Sequence, residues 1–192
     1  MSLKEFKRSE ISQIYYHRSG KRFLPDVFGG QLKELVEQVQ RTEEKTEVLY
    51  LCIGSDRSTG DSLGPLVGYK LNQSGSWEIE VLGTLTRPVH AMNLNETIDY
   101  LNRYYRNHVI VAIDASVGRS EHVGYITLGR GGIKPGLGVS KNLKKVGDVF
   151  ITGIIGSGGG LEPLMLQNTR LSLVMEIADC ICEGIRFAGQ VS

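Results

Sequence analysis

The sequence predicts a single α/β domain, a three-layer α/β/α sandwich built around a mainly parallel sheet. First, segments with strand-like apolar runs alternate along the chain with segments that have helical spacing. Second, the runs at 47–54 and 108–116 are largely apolar, which is typical of strands that are covered on both faces. Third, the 192 residues, 41% of them hydrophobic, suffice for one core, and no repeat or composition change marks a second domain.

The individual elements follow from these patterns in chain order. Residues 1–26 of the single domain 1–192 are polar and charged, and we expect them to form an N-terminal arm packed on the body or to be partly disordered. Apolar residues recur at helical spacing in "GQLKELVEQVQRTEE", and "GPLVGYKLN" has its proline where a first helical turn tolerates one. The predicted helices are at 30–44, 64–72, 93–106 and within 164–188. The predicted strands are at 47–54, 78–85, 108–116, 148–160 and within 122–136.

Composition narrows the classes of function. A net charge of +1 gives no strong field for nucleic acid or an anionic membrane. No apolar run approaches the ~20 residues that span a bilayer, and "MSLKEFKRSE" lacks the apolar stretch of a signal peptide. Three cysteines without a CxxC spacing fit a reducing compartment. We therefore expect a cytoplasmic protein with no nucleic-acid or membrane partner, whose self-association the sequence leaves open.

The loop "CIGSDRSTGDSLGPLVG", residues 52–68, resembles a phosphate-binding loop only at first sight. A Walker A motif has four residues between its two glycines and a lysine after the second, whereas five residues separate Gly54 from Gly60 here. Asp61 occupies the lysine position, where its negative charge would repel a phosphate. The Rossmann spacing of glycines is also missing, so the pattern argues against a nucleotide site.

Two acidic residues follow strands that we expect to be neighbours. In open α/β sheets, sites form beyond the carboxyl ends of the strands, and in a 2-1-3 strand order 47–54 lies ~4.8 Å from 108–116. Asp61 and Asp114 would then face each other across one cleft. One pKa of such a pair rises, so the pair can hold a proton as an acid and a base, or two oxygen ligands can hold a divalent cation. Helix capping and turn formation are the alternative roles for these residues.

Further residues are candidates for the substrate side of this cleft. Arg57 can pair with a neighbouring acid or bind a substrate carboxylate. His90 follows the second predicted strand, where it can shuttle a proton, orient a substrate or serve as a hydrogen-bonded turn residue. Glycines after the strand within 122–136 can turn the backbone amides toward a bound peptide or oxyanion, or simply make turns. These glycines are Gly132, Gly136 and Gly138.

Three stretches of the chain also carry a family resemblance. "CIGSDRSTGDSLGPLVG", "LGTLTRPVHAMNL" and "VIVAIDASVG" closely resemble the YyaC-type sporulation proteins, over a match that runs from about residue 48 to 160. That group is similar to the spore germination protease and, more remotely, to the hydrogenase maturation proteases. The similarity to the germination protease includes "GDSLGP", "AIDAS" and "GGIKPGLGVSKNLKKV".

The resemblance implies a phosphorylase/hydrolase-type α/β/α fold and a pair of catalytic acids. In this sequence the two acids of the germination protease fall on Asp61 and Asp114. The hydrogenase maturation proteases add a later histidine to the two carboxylates to sense nickel. Here the only histidine after Asp114 is His122, at the start of the next predicted strand, so we predict no metal and no cofactor.

The sequence therefore supports three hypotheses about function. The first is a sporulation-associated peptidase or amidase that acts on a protein or peptide in the forespore or spore interior, with Asp61 and Asp114 as its catalytic residues. The second is a non-catalytic peptide-binding or regulatory protein on a protease-like fold. The third is a metal-dependent variant with His90 as a further ligand. Resemblance in fold does not by itself establish activity.

Overall fold

Six strands form one sheet in the computed structural model, which describes residues 13–73, 79–135, 144–158 and 168–190. The strands are β1 (Ile14–Arg18), β2 (Glu47–Cys52), β3 (Glu80–Leu82), β4 (His108–Gly118), β5 (Tyr125–Arg130) and β6 (Val149–Ser157), in the spatial order β1-β5-β6-β4-β2-β3. The pairs β3–β2, β2–β4 and β4–β6 are parallel, whereas β5 runs antiparallel to both β6 and β1. The predicted mainly parallel sheet is confirmed.

Helices cover both faces of this sheet. They are α1 (Pro25–Glu43), α2 (Leu63–Gln73), α3 (Leu94–Tyr104) and α4 (Leu171–Gln190). Buried side chains of α1, α2 and α4 share one core cluster, and those of α3 belong to a second cluster on the opposite face. This arrangement is the three-layer sandwich that the sequence predicts. Within the described ranges, no helix is both long and apolar enough to cross a lipid bilayer.

The central strands are buried on both faces, as their apolar runs predict. Leu49 and Leu51 of β2 lie in the core beneath α3, and Tyr50 and Cys52 lie in the core beneath the other helices. Side chains of a strand alternate between faces, so each layer receives every second residue. Because β2 and β4 pair in parallel, with Cys52 opposite Ile113, their carboxyl ends reach the same edge of the sheet.

Three boundaries differ from the sequence-based expectation. Residues 14–18, expected within an N-terminal arm, form the edge strand β1, which pairs with β5 through alternating exposed and half-buried residues. Helix α1 begins at Pro25 instead of residue 30, because proline suits the first helical position. Strand β3 is only three residues long, because Gly83 follows with a φ of 90° and its Cα packs directly against the Cys52 carbonyl. The short length of β3 matters for the candidate site, because the turn after Gly83 leads the chain back to the sheet at Val89.

Candidate functional site

The two predicted acids lie at the common carboxyl edge of β2 and β4. Asp114 follows Ile113, the register partner of the last residue of β2, although β4 itself continues to Gly118, and Asp61 lies in a short 3₁₀ turn immediately before α2. Gly54 holds the start of the loop from β2 to Asp61 against the sheet. Its φ is 136°, and its amide donates a hydrogen bond of 2.8 Å to the Val89 carbonyl. The structure thus brings Asp61 and Asp114 close enough that the charge of Asp61 contributes to the raised pKa of Asp114.

Asp114 is a buried acid. Its side chain lies in the sheet with 7% of the residue exposed, and its Oδ1 atom accepts a hydrogen bond of 2.8 Å from the Ala115 amide. Burial raises the pKa of Asp114 well above its ordinary value, the charge of Asp61 raises it further, and the Ala115 amide opposes these effects. The carboxyl of Asp114 therefore favours its protonated form. The alternative prediction was a hydrogen bond from an amide of the next turn, whereas the amide found belongs to Ala115, within β4.

Asp61 has a different environment from Asp114. It is half-buried, and burial raises its pKa above the ordinary value, while the Ser55 amide and the His90 ring act in the opposite direction. These two opposing groups favour the carboxylate. The two acids are therefore unequal: Asp114 holds a proton more firmly, and Asp61 ionises more readily. The backbone group that bonds the Asp61 carboxyl is the Ser55 amide, which precedes the 3₁₀ turn and does not belong to α2.

A turn after β3 brings His90 close enough to Asp61 for its ring to lower the pKa of that carboxyl. After Gly83 the chain makes a turn in which the Thr84 amide donates to the Arg87 carbonyl, and Val89 then returns to the sheet to pair with Ile53. The Met92 amide donates to Nδ1 of His90 at 3.3 Å. An Nδ1 atom that accepts a hydrogen bond places the proton of a neutral ring on Nε2, so Nε2–H is the donor that His90 can offer to the cleft.

Asn93 fixes the position of His90 and was not singled out from the sequence. Its Oδ1 atom accepts a hydrogen bond of 2.8 Å from the His90 amide, and its Nδ2 atom donates one of 3.0 Å to the Pro88 carbonyl. The available signal was its place directly before α3, where asparagine commonly binds backbone groups. Here Asn93 ties down the preceding loop.

Arg57 lies on the surface of the loop before Asp61. Its backbone amide donates to the Ser55 hydroxyl at 3.2 Å, and the residue is exposed. Among the described residues, no ion pair or hydrogen bond joins its guanidinium group to Asp56 or Asp61. The predicted pairing of Arg57 with an acid is therefore not found there. Its guanidinium remains a candidate for binding a substrate carboxylate.

The predicted glycine-rich wall of the cleft is not found at Gly132. Gly132 packs against the backbone of Val146 and Gly147, with a bridge between Ile133 and Val146 beside it. Because β5 is antiparallel to β6, the chain leaves β5 at the amino end of the parallel strands, away from the acids. The placement of Gly132 in the cleft is thus corrected: the residue permits close contact between two chain segments. Gly136 and Gly138 lie outside the described residues.

A row of hydroxyl groups continues from Asp114 across the sheet. Thr152 of β6 is the register partner of Asp114, and Thr127 of β5 is the register partner of Thr152. The two threonine hydroxyls are 2.6 Å apart, and Ser116 donates to Thr152 at 3.3 Å. Sequence reasoning missed this row, although polar residues in otherwise apolar strands were a usable signal. It places hydroxyl groups beside Asp114 on the β6 side of β4.

The described residues do not fit a metal site of the nickel-sensing type. Such a site needs three ligands, and no group of three or more His, Cys, Asp or Glu residues in the described ranges is arranged to hold a metal ion. In the hydrogenase maturation proteases a histidine is the third ligand beside two carboxylates. His122 is not its counterpart, because it lies in the 3₁₀ turn after β4.

Comparison with known proteins identifies the family. A family described as "Protein of unknown function (DUF1256)" matches residues 27–184. The chain is 44% identical to the "Uncharacterized protein YyaC" of Bacillus subtilis (strain 168) over 155 residues, which cover 81% of this chain and 76% of that protein. The solved structure of a [NiFe] hydrogenase maturation protease, HycI from Thermococcus kodakarensis KOD1, is similar with a TM-score of 0.46 and 19% identity, over 78% of this chain and 99% of that one.

These matches confirm the resemblance to YyaC, whereas the relationship to the spore germination protease stays a prediction. The family match spans the strands and helices that carry Asp61, His90 and Asp114. The chain belongs to the DUF1256 family of proteins of unknown function.

Proposed function

We propose that this protein is a hydrolase that cleaves peptide or amide bonds with Asp61 as general base and Asp114 as general acid. The supporting observation is the buried carboxyl of Asp114, 7% exposed, whose pKa burial and the nearby Asp61 raise well above its usual range. A pair of carboxyl groups whose environments separate their pKa values can act as a base and an acid at the same pH. Proton transfer by positioned side chains typically accelerates a reaction by about 10²–10⁴-fold.

The environments assign a role to each acid. Burial raises the pKa of Asp61 too, but less than that of Asp114, because Asp61 is the more exposed of the two and the Ser55 amide and the His90 ring oppose the shift. Asp61 is therefore the base that activates water. Asp114 keeps its proton because it is buried and lies near Asp61, and it is therefore the acid that polarises the substrate carbonyl.

The reaction balances within this pair. The Asp61 carboxylate takes a proton from water while the water oxygen forms a bond to the carbonyl carbon, and Asp114 gives its proton to the carbonyl oxygen. The resulting tetrahedral intermediate is uncharged. When the C–N bond breaks, Asp61 returns its proton to the leaving nitrogen, and a hydroxyl of the intermediate returns a proton to Asp114. Both acids are then restored, and the products are a carboxylic acid and an amine.

Neighbouring groups would position the substrate in this scheme. His90 can donate from Nε2, because the Met92 amide occupies its Nδ1 atom. Arg57, on the exposed loop, suits a substrate carboxylate. A sporulation role and a location in the forespore or spore interior are part of this proposal, and they rest on the resemblance to the YyaC-type sporulation proteins. The substrate class is a protein or peptide.

The test compares Asp61→Asn and Asp114→Asn, each alone, on small spore storage proteins and on unstructured peptides. Asp56→Asn is the matched control, because Asp56 is an exposed acid on the same loop. We expect each dyad variant to lose activity by about 10²-fold or more and the control to retain it. The wild-type profile should be bell-shaped, since Asp61 must be ionised and Asp114 protonated. Stoichiometric peptide binding without turnover by the wild type would instead support a non-catalytic binding protein.

A further inference from the structure

A groove beside the acid pair lies between β3 and α3. Its volume is about 940 Å³. Residues 81–84 line one side, and Asn93, Glu96, Thr97 and Tyr100 line the other. Asn93 lies directly before α3 and the other three lie on one face of it at helical spacing, which gives the groove a length of about 10 Å. It is therefore an elongated channel between a strand and a helix.

The strand side of this groove is an edge of the sheet. In the described part of the chain β3 pairs with β2 on one side and is the last strand in the sheet order. An edge strand presents unpaired N–H and C=O groups on its outer side, and an extended segment can pair with them. Three strand residues span about 10 Å, which matches the length of the helical wall.

One end of the groove adjoins the candidate site. His90 lines the groove and also lies close enough to Asp61 to lower the pKa of that carboxyl. Arg87 lines the same loop region, while Tyr100, 46% exposed, lines the opposite end and contacts Tyr104 with tilted rings whose centroids are 4.9 Å apart. A ligand that extends along β3 toward its carboxyl end is therefore directed toward the acids.

We infer that this groove binds an extended polypeptide segment, which pairs with the outer edge of β3 and directs a peptide bond toward His90 and Asp61. The second half of this inference rests on the proposed hydrolase function, and the first half does not. A polypeptide fits better than a small molecule because the edge offers a repeating row of backbone donors and acceptors. The occupant is unfolded at this point, since a folded chain has already paired its own backbone.

The experiment separates backbone pairing from general adhesion. The probe is a fluorescein-labelled unstructured peptide of about ten residues, made also in two forms, one with N-methyl groups on alternate amides and one with N-methyl groups on every amide. Alternate amides of an extended strand face the same side, so the first form keeps one intact row of pairing donors and the second keeps none. Anisotropy with the Asp114→Asn variant should show about tenfold weaker binding for the fully methylated form only. Equal affinity of the two forms would overturn the inference.

Two substitutions on α3 locate the binding to the groove. Glu96→Trp places a large ring in the groove, and Asn95→Trp places the same ring on the adjacent exposed residue, which does not line it. We expect Glu96→Trp to weaken binding about tenfold and Asn95→Trp to bind as the parent does. Equal effects of the two variants, or a dimer of this chain that Glu96→Trp dissociates, would exclude a peptide groove.

The outcomes also distinguish this inference from the proposed reaction. Binding that depends on the methylation pattern, with no hydrolysis by the wild type, would leave the groove in place and refute the hydrolase. Hydrolysis that depends on both acids, with a KM that Glu96→Trp leaves unchanged, would support the reaction and refute the groove.

Discussion

Replacing Gly54 with alanine should disturb the fold and the acid pair together. The residue has a φ of 136°, a backbone angle that residues other than glycine rarely adopt. A Cβ atom at this position would overlap the Asp61 carbonyl oxygen and lie 3.1 Å from Cδ of Pro65. Gly54 therefore allows the loop that carries Asp61 to pack against the end of β2.

The expected cost follows from these two effects. A residue held in a disfavoured backbone region costs about 1–3 kcal/mol, and forcing atoms into a packed region costs about 1–3 kcal/mol more. We expect Gly54→Ala to lower the free energy of unfolding by about 2–6 kcal/mol. Relief of the overlap moves Asp61 by roughly 1 Å, a displacement that can reduce activity about 100-fold. It should also lower the pKa of Asp114, if Asp61 moves away from it.

Urea denaturation measures the stability change, and Gly30→Ala is the matched control. Gly30 is exposed on α1, and a Cβ atom there would meet nothing within 4 Å. Alanine at a helical glycine stabilises by about 0.5–1 kcal/mol, so the control should shift in the opposite direction. If Gly54→Ala unfolds within about 0.5 kcal/mol of the wild type, the close packing of the Asp61 loop on the strand end is refuted.

Two other changes test the electrostatics. Asp114→Asn should make the free energy of unfolding less dependent on pH. In the unfolded chain the pKa of Asp114 is about 4, whereas burial and the charge of Asp61 raise its pKa in the folded protein. The wild type therefore loses about 1.4 kcal/mol of stability for each pH unit between the unfolded and the folded pKa. Melting curves should coincide near pH 4 and favour the variant at neutral pH; a wild type that is the more stable at neutral pH would contradict this. Asp148→Ala should cost about 2–3 kcal/mol in urea denaturation, because its Oδ2 atom accepts from Lys45 Nζ at 2.6 Å and from the Ile110 amide at 2.8 Å. A loss of the same size in a Lys45→Ala background would show that the ion pair contributes nothing.

The positions of the acids were predictable because few arrangements of the central strands are compatible with the sequence. Two apolar runs in one α/β chain must be covered on both faces, which favours adjacent parallel strands. Parallel strands share a carboxyl edge, so an acid after one lies near an acid at the end of the other. The pairing of Cys52 with Ile113 realises this geometry. The inference needed only strand identity and direction.

The other members of the site depend on contacts that local patterns do not encode. His90 reaches Asp61 because Val89 pairs with Ile53 after a turn that starts at Gly83. That return is a tertiary contact, and the sequence shows only a histidine some residues after a strand. Gly132 was a candidate for the cleft because it lies in a glycine-rich stretch after a predicted strand. The antiparallel direction of β5 places the loop that follows it at the opposite edge of the sheet from the acids.

The two acids lie on different kinds of element, a central strand and a loop, and this determines which of them a local substitution can move. Asp114 belongs to β4, which has strand neighbours on both sides, so its position and its burial follow from the sheet. Asp61 belongs to a loop held by Gly54, and two neighbours, Ser55 and His90, favour its ionised form. Changes in the loop can therefore alter the base while the acid stays in place. The groove along β3 ends at His90, so a bound segment would affect Asp61, the acid on the loop, before it affects Asp114.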